Sequence, residues 1–265
     1  RTLLQKASLG VLCWNGYPLY KIYKPYRLSD NLKESVIISK YNMQAVILAA
    51  GRGTRMNHLT KDTPKPMINI GKMNLIEWKI EALPAEVDEV IIIIGYLGEQ
   101  IKKHFADNFA GKKITYIEQR ELNGTGGALF LAKDILKGKF LVMMGDDIYS
   151  KEDIVEMIEN GWSILAKKAL EVGKGAKIAI NGNRTIKEII ENADLKADDW
   201  HNAGMYVLGE EIFNYPLVPI KNSEFGLPQT IVLAAKDIPI RIVPAKRWLQ
   251  VTTPEDIPKV EKMLA

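Results

Sequence analysis

From Gln44 onward the chain alternates between strand-length apolar runs and longer stretches whose apolar residues recur every three or four positions. "QAVILAA", "VDEVIIIIGY", "KITYIE" and "GKFLVMMGDD" read as strands. Between and after them, "MNLIEWKIEAL", "LGEQIKKHFADNF", "GTGGALFLAKDIL" and "KEDIVEMIENG" read as helices. Strands that alternate with helices predict a parallel sheet. Runs that are apolar throughout predict cover on both faces, since a strand wet on one side alternates. The expected fold is a doubly wound, three-layer αβα arrangement with a mostly parallel central sheet. The later half is less regular. There "AKIAI", "RTIKEII", "NAGMYVL" and "IPIRIVPA" read as strands, some of them antiparallel. "LPQTIVLAAKD" and "TPEDIPKVEKML" read as helices.

Residues 1–42 break this pattern. They hold Trp14, Tyr17, Tyr20, Tyr23, Tyr26 and Tyr41 without helical or alternating spacing, and seven Lys/Arg against two Asp/Glu. The net charge of +4 therefore resides in this segment. It reads as an extension of uncertain status, either a loosely packed addition or a basic, aromatic arm for a partner or membrane surface. The expected main unit is 43–265, with halves at 43–150 and 151–265. With 47% hydrophobic and 26% charged residues, the composition is that of a globular domain able to bury a core. No apolar run nears the 18 residues of a membrane helix, and no cleavage site follows the short apolar stretch near Leu9. Cys13 is the only cysteine, so no intramolecular disulfide is expected, and a cytoplasmic setting is the default. The near-neutral main unit gives no case for nucleic acid.

The first strand ends in "AAGRGTRMNHLTKDTPKP". In a doubly wound sheet, ligands sit at the carboxyl ends of the strands, so this turn is the first place to look for chemistry. Gly51 and Gly53 allow a sharp bend and close backbone approach to a ligand, and successive N–H groups at such a bend attract anions. Met56 stands where both the Walker loop and the dinucleotide fingerprint need their later glycine, so neither motif fits. Instead the loop supplies Arg55, a planar fork for phosphate oxygens, and Lys65, a compact charge.

The whole stretch "LAAGRGTRM…T…PKP" resembles the signature of the sugar-1-phosphate nucleotidylyltransferases, a GT-A-like family. The resemblance implies that Leu48, Ala49, Gly51, Gly53 and Thr54 line a nucleoside triphosphate site, with Arg55 and Lys65 on its phosphates. "EQRELNGTGGAL" is similar to the family's base-recognition segment, which implies that Gln119, Gly124 and Thr125 contact the base. "FLVMMGDDIYS" resembles its metal-binding turn, with Asp146 holding Mg²⁺; Asp147 reads as a helix cap or a supporting residue. Glu191, Asn202 and Gly204 in "EIIENAD…HNAGMYVL" resemble its sugar-contacting positions. That implies a smaller, partly antiparallel acceptor lobe. The implied reaction transfers a nucleotidyl group from an NTP, a pyrimidine one favoured, to a phosphorylated small molecule, with a homo-oligomer left open.

Two positions depart from the pattern. Relatives often place aspartate two residues after the tryptophan of "RWLQ"; here that second metal position is Gln250. Many place lysine after the glutamate; here it is Asn192, which leaves Lys65 as the clearest charge for the acceptor's phosphate. The acceptor could therefore be a sugar 1-phosphate, or a non-sugar phosphate such as phosphocholine or a polyol phosphate. A non-catalytic, nucleotide-sugar-binding regulator is the further alternative. His58, His104 and His201 have no metal-ligand spacing.

Overall fold

The structure, a computed structural model, describes residues 43–264 and, before them, only the backbone of two paired dipeptides, Cys13–Trp14 and Tyr17–Pro18. Backbone contacts divide the chain into residues 1–40 and 41–265. What the sequence suggests for the aromatic arm lies outside the described residues.

In chain order the main elements are β1 (Met43–Ala49), α1 (Leu75–Ala82), β2 (Val87–Ile94), α2 (Gly98–Phe105), β3 (Lys112–Glu118), α3 (Gly124–Phe130) and β4 (Lys139–Met144). Then come β5 (Asp147–Tyr149), α4 (Lys151–Asn160), β6 (Ser163–Lys168), β7 (Gly173–Ile180), β8 (Ile186–Leu195) and β9 (Trp200–Gly209). The chain continues through α5 (Leu227–Ala234), β10 (Arg241–Pro244), β11 (Trp248–Gln250) and α6 (Asp256–Leu264). The central sheet runs β8-β7-β9-β4-β1-β2-β3, with β6 and β10 joined beside β9. Strands β4, β1, β2 and β3 are parallel.

Aliphatic runs in β1, β2 and β4 bury alternate residues on opposite faces. Ala45, Ile47, Val90, Ile92, Leu141 and Met143 pack with Ile76 and Ile80 of α1, Ile101 of α2 and Ile154 of α4. Val46, Leu48, Ile91, Ile93 and Val142 pack with Leu129 of α3 and Ile231 of α5. The mostly parallel, doubly covered sheet read from the sequence is therefore present. The antiparallel strands β7, β8 and β9 extend this same sheet through β4–β9 pairing rather than forming a sheet of their own. Strands β5 and β11 form a separate ribbon over a third cluster containing Met56, Ile148, Leu249 and Val251. No helix of the described residues is long and apolar enough to cross a membrane.

Chain connections leave β1 towards β2 on one side and reach β4 on the other. The winding thus reverses between β1 and β4, which is where such sheets open a crevice.

Candidate active site

A cleft of about 1020 Å³ lies at the carboxyl ends of β1 and β4, and every nucleotide-, acceptor- and metal-site residue expected from the sequence lines it. Leu48 and Ala49 end β1 at its floor. Open space surrounds the missing side chain of Gly51. Gly53 is different: its φ is +64°, and a Cβ there would lie 2.6 Å from Cβ of Lys65. Glycine is needed here because the lysine stem passes against the loop. The loop is tied down from below. Met56 is buried and its N–H donates to Gly53 O at 2.9 Å, while Thr60 Oγ1 donates to the same carbonyl at 3.1 Å. Thr54 and Arg55 face the cleft from this loop, and Arg55 is exposed, with no ion-pair partner among the described residues. Arg52, which the motif reading passed over, lies over the Tyr96 ring at 5.5 Å.

Lys65 crosses the cleft floor to Asp146, with Nζ 2.8 Å from Oδ2. The lysine is almost fully buried, whereas the carboxylate keeps 30% of its side-chain surface in contact with solvent. Gly145, just before it, would place a Cβ 2.5 Å from Leu48 O, so glycine lets the ends of β1 and β4 come this close. Asp147 is not a helix cap. Ser150 caps α4, accepting from Asp153 N at 3.1 Å, because Ile148 and Tyr149 are apolar enough to continue the chain as β5. Asp147 is buried and pairs with Gln250 of β11 in register. Its Oδ2 accepts from the Tyr149 hydroxyl at 3.3 Å, and the Trp248 side chain approaches the same carboxyl. Burial, and next the charge of Asp146, push its carboxyl well above the usual range.

Beneath the turn lies Lys79 of α1, fully buried, a residue the motif reading missed. Its Nζ donates to Leu75 O at 3.1 Å and to Gly145 O at 3.0 Å. Burial draws the ammonium down to about 8, against the pull of Asp147 and then Asp146. The signal was present in the sequence: Leu75, Ile76, Lys79 and Ile80 share one helical face, so the lysine interrupts an apolar stripe.

Gln119 is buried, and its Nε2 donates to Asn123 Oδ1 at 2.9 Å and Gly124 O at 3.1 Å. Its amide donors are thereby used within the protein, and Oε1 is left as the acceptor. Gly124 has φ +92°, and a Cβ would lie 2.5 Å from Phe225 O. Thr125 Oγ1 accepts from Leu227 N at 3.1 Å. Both residues line the cleft, and both also dock the segment that leads into α5.

At the other end, the β7–β8 hairpin carries a bulge. Gly175 pairs with Ala193 but Lys177 pairs with Ile190, so Glu191 and Asn192 together oppose Ala176, and Asn192 takes φ +53°. A bulge re-aims side chains, and both residues line the cleft. Burial raises the Glu191 carboxyl. Asn202 is largely engaged internally: Oδ1 accepts from Gly204 N at 2.9 Å and Nδ2 donates to the Tyr206 hydroxyl at 2.8 Å. Gly204, at φ +71°, accommodates Met144, whose Cγ would meet a Cβ at 2.7 Å. Lys174 adds a cation to this wall; its exposed ammonium is 3.6 Å from Asp194. His201 is half-buried, edge-on to Trp248 with ring centroids 4.9 Å apart.

Among the described residues no three His, Cys, Asp or Glu converge as a metal site. A carboxylate at Asp146 and an amide at Gln250 lie on adjoining strand ends, and Val251 N donates to Asp146 O at 3.3 Å. Oxygen donors of this kind suit Mg²⁺ that brings phosphate and water ligands of its own.

A family model described as "Nucleotidyl transferase" matches residues 44–261. The chain is 30% identical over 226 residues to "Bifunctional protein GlmU" of Methanocaldococcus jannaschii, an alignment covering 84% of this chain and 54% of that one. It is 29% identical over 234 residues to "UTP--glucose-1-phosphate uridylyltransferase AglF" of Haloferax volcanii, covering 84% and 96%. The chain thus spans about half the length of the first of these relatives. Among solved structures, HddC of Yersinia pseudotuberculosis, complexed with GMP-PN, superposes with a TM-score of 0.67 at 24% identity, covering 84% of this chain and all of that one. With a family match from residue 44 to 261, which takes in the glycine loop and the strand-end carboxylates, the chain belongs to the nucleotidyl transferase family, among the sugar-1-phosphate nucleotidyltransferases.

Proposed function

We propose that this protein transfers a nucleotidyl group from an NTP to a sugar 1-phosphate, releasing pyrophosphate. The observation that carries the reading is the Lys65–Asp146 pair, held across one cleft between the glycine loop and the Glu191–Asn192 bulge. Each charge neutralises the other while the cleft is empty of substrate. A polyanion would draw Lys65 onto its phosphates and release Asp146 for a cation. Arg55 would close on the outer phosphates from the loop. Mg²⁺, held by Asp146 and Gln250, would supply charge neutralisation at the phosphates. The acceptor's phosphate oxygen then attacks the α-phosphorus in line, the bond to the β-phosphate oxygen breaks, and pyrophosphate leaves. Positioning and electrostatics suffice, and no covalent enzyme intermediate is needed.

The acceptor oxygen of Gln119 suits a base with a ring N–H, which uracil, thymine and guanine have and cytosine and adenine lack; of these the pyrimidines are the reading tested first. A second reading changes only the acceptor. Asn192 stands where lysine is expected, so the cation lining the cleft beside the bulge is the exposed Lys174, and a phosphocholine or polyol phosphate would meet fewer buried charges there. A regulator without turnover is the reading that Gln250 motivates.

A panel of NTPs against phosphorylated acceptors, read by pyrophosphate release, separates these. The expected outcome is Mg²⁺-dependent turnover with a pyrimidine NTP and a sugar 1-phosphate. Lys65→Ala and Asp146→Ala proteins should lose at least 100-fold in rate, in keeping with the removal of one transition-state charge contact. Tight binding of a nucleotide sugar without turnover, and turnover on installing Gln250→Asp, would favour the regulator instead.

A further inference from the structure

The apolar face of α1 carries one group that packing does not call for. Lys79 lies among Leu75, Ile76 and Ile80, with no exposure to solvent. A buried ammonium is costly unless its surroundings compensate. No carboxylate oxygen lies within ion-pair distance of it among the described residues. Its two hydrogen bonds go to carbonyls, one on its own helix and one at Gly145. Gly145 is the residue at which β4 turns into the two aspartates. The ammonium therefore holds the backbone of that turn from below, while its charge acts on both carboxylates above. Asp147, the more buried of the two, is approached by the Tyr149 hydroxyl and the Trp248 side chain and forms no ion pair among the described residues. Lys65 binds Asp146 from the cleft side. The two lysines thus sandwich the turn, one able to leave for a substrate and one fixed.

We infer that Lys79 is a positioning residue for nucleotidyl transfer: by holding Gly145 O from beneath, it keeps the Gly145–Asp147 turn in place so that Asp146 faces the cleft. The inference rests on the transferase reading above. Lys79 touches neither substrate nor cation. Its loss should therefore weaken metal use and turnover while leaving the glycine loop's hold on nucleotide intact.

The test compares wild type with Lys79→Met and Lys79→Gln, the second retaining a donor for Gly145 O without the charge. Thermal melts, NTP affinity in EDTA and the Mg²⁺ dependence of pyrophosphate release are measured for each. Lys79→Met should cut kcat at least 10-fold and raise the half-saturating Mg²⁺ concentration several-fold, with metal-free NTP affinity within 2-fold of wild type. Lys79→Gln should fall between. Lys79→Gln also serves if Lys79→Met does not fold. Wild-type kcat and Mg²⁺ dependence in Lys79→Met would overturn the inference. So would equal losses in metal-free NTP affinity and kcat, the signature of a purely structural lysine. A wild-type protein that binds no NTP would instead overturn the transferase reading, and this inference with it.

Discussion

At Gly53 the loop has no side chain where the stem of Lys65 passes, and its φ of +64° is one that L residues adopt at a penalty. Gly53→Ala should push the lysine away from its station opposite Asp146. We expect NTP affinity, measured by calorimetry, to fall at least 10-fold, with a loss of about 1–2 kcal/mol in stability from the left-handed backbone. Gly51, open on all sides, should tolerate alanine in the substrate-free protein. A second residue-scale effect concerns pH. Burial holds the His201 imidazole below its ordinary 6.5. In the window between the folded value and 6.5 the unfolded chain binds more protons, so stability rises with pH there. The contribution of the neutral ring is present above 6.5 and is lost as pH falls through the folded value. Melting temperatures between pH 7.5 and 5.5 should therefore drop more for wild type than for His201→Gln.

At the scale of elements, the position of Gln250 depends on a residue in another helix. Asp153, fully buried in the first turn of α4, accepts from Lys246 N at 2.9 Å and Arg247 N at 3.0 Å, the two residues that lead into β11. Bonds to a charged acceptor contribute about 1.5–3 kcal/mol each. Asp153→Ala should therefore lower stability by about 3 kcal/mol or more, seen in denaturant melts, and raise the Mg²⁺ requirement by loosening β11. The α1 helix is fixed in a comparable way at its start. Asn74 Oδ1 accepts from Ile76 N and Glu77 N, and Glu77 answers to Asn74 N at 2.7 Å. This capping box holds in place the helix that delivers Lys79 under the turn.

Across the whole molecule, the cleft collects residues far apart in the chain onto one edge of a single sheet. A ligand that binds only this assembled edge stabilises the folded state by mass action. At a hundredfold excess over Kd the gain is about 2.7 kcal/mol, which for a unit of this size corresponds to a rise of about 5–11 °C in melting temperature. We expect a matching NTP with Mg²⁺ to produce it in wild type and not in Lys65→Ala.

Much of this was legible in the order of residues. Unbroken aliphatic runs in β1, β2 and β4 can only be satisfied by cover on both faces, so they determined the layered parallel sheet. A glycine bend followed by Arg55 and Lys65 marked a candidate anion site, because backbone N–H groups at such a bend and nearby cations suit one. Short strands without such runs, β5, β6 and β11, left too little periodicity to be read. Only the tertiary structure decided that Asp147 turns inward beside Gln250, that Lys79 lies beneath both aspartates, and that the Glu191–Asn192 bulge faces the same cleft. These are facts of register and of helix-on-sheet packing. They depend on which atoms meet across tens to more than a hundred residues of chain, and no local pattern carries that information.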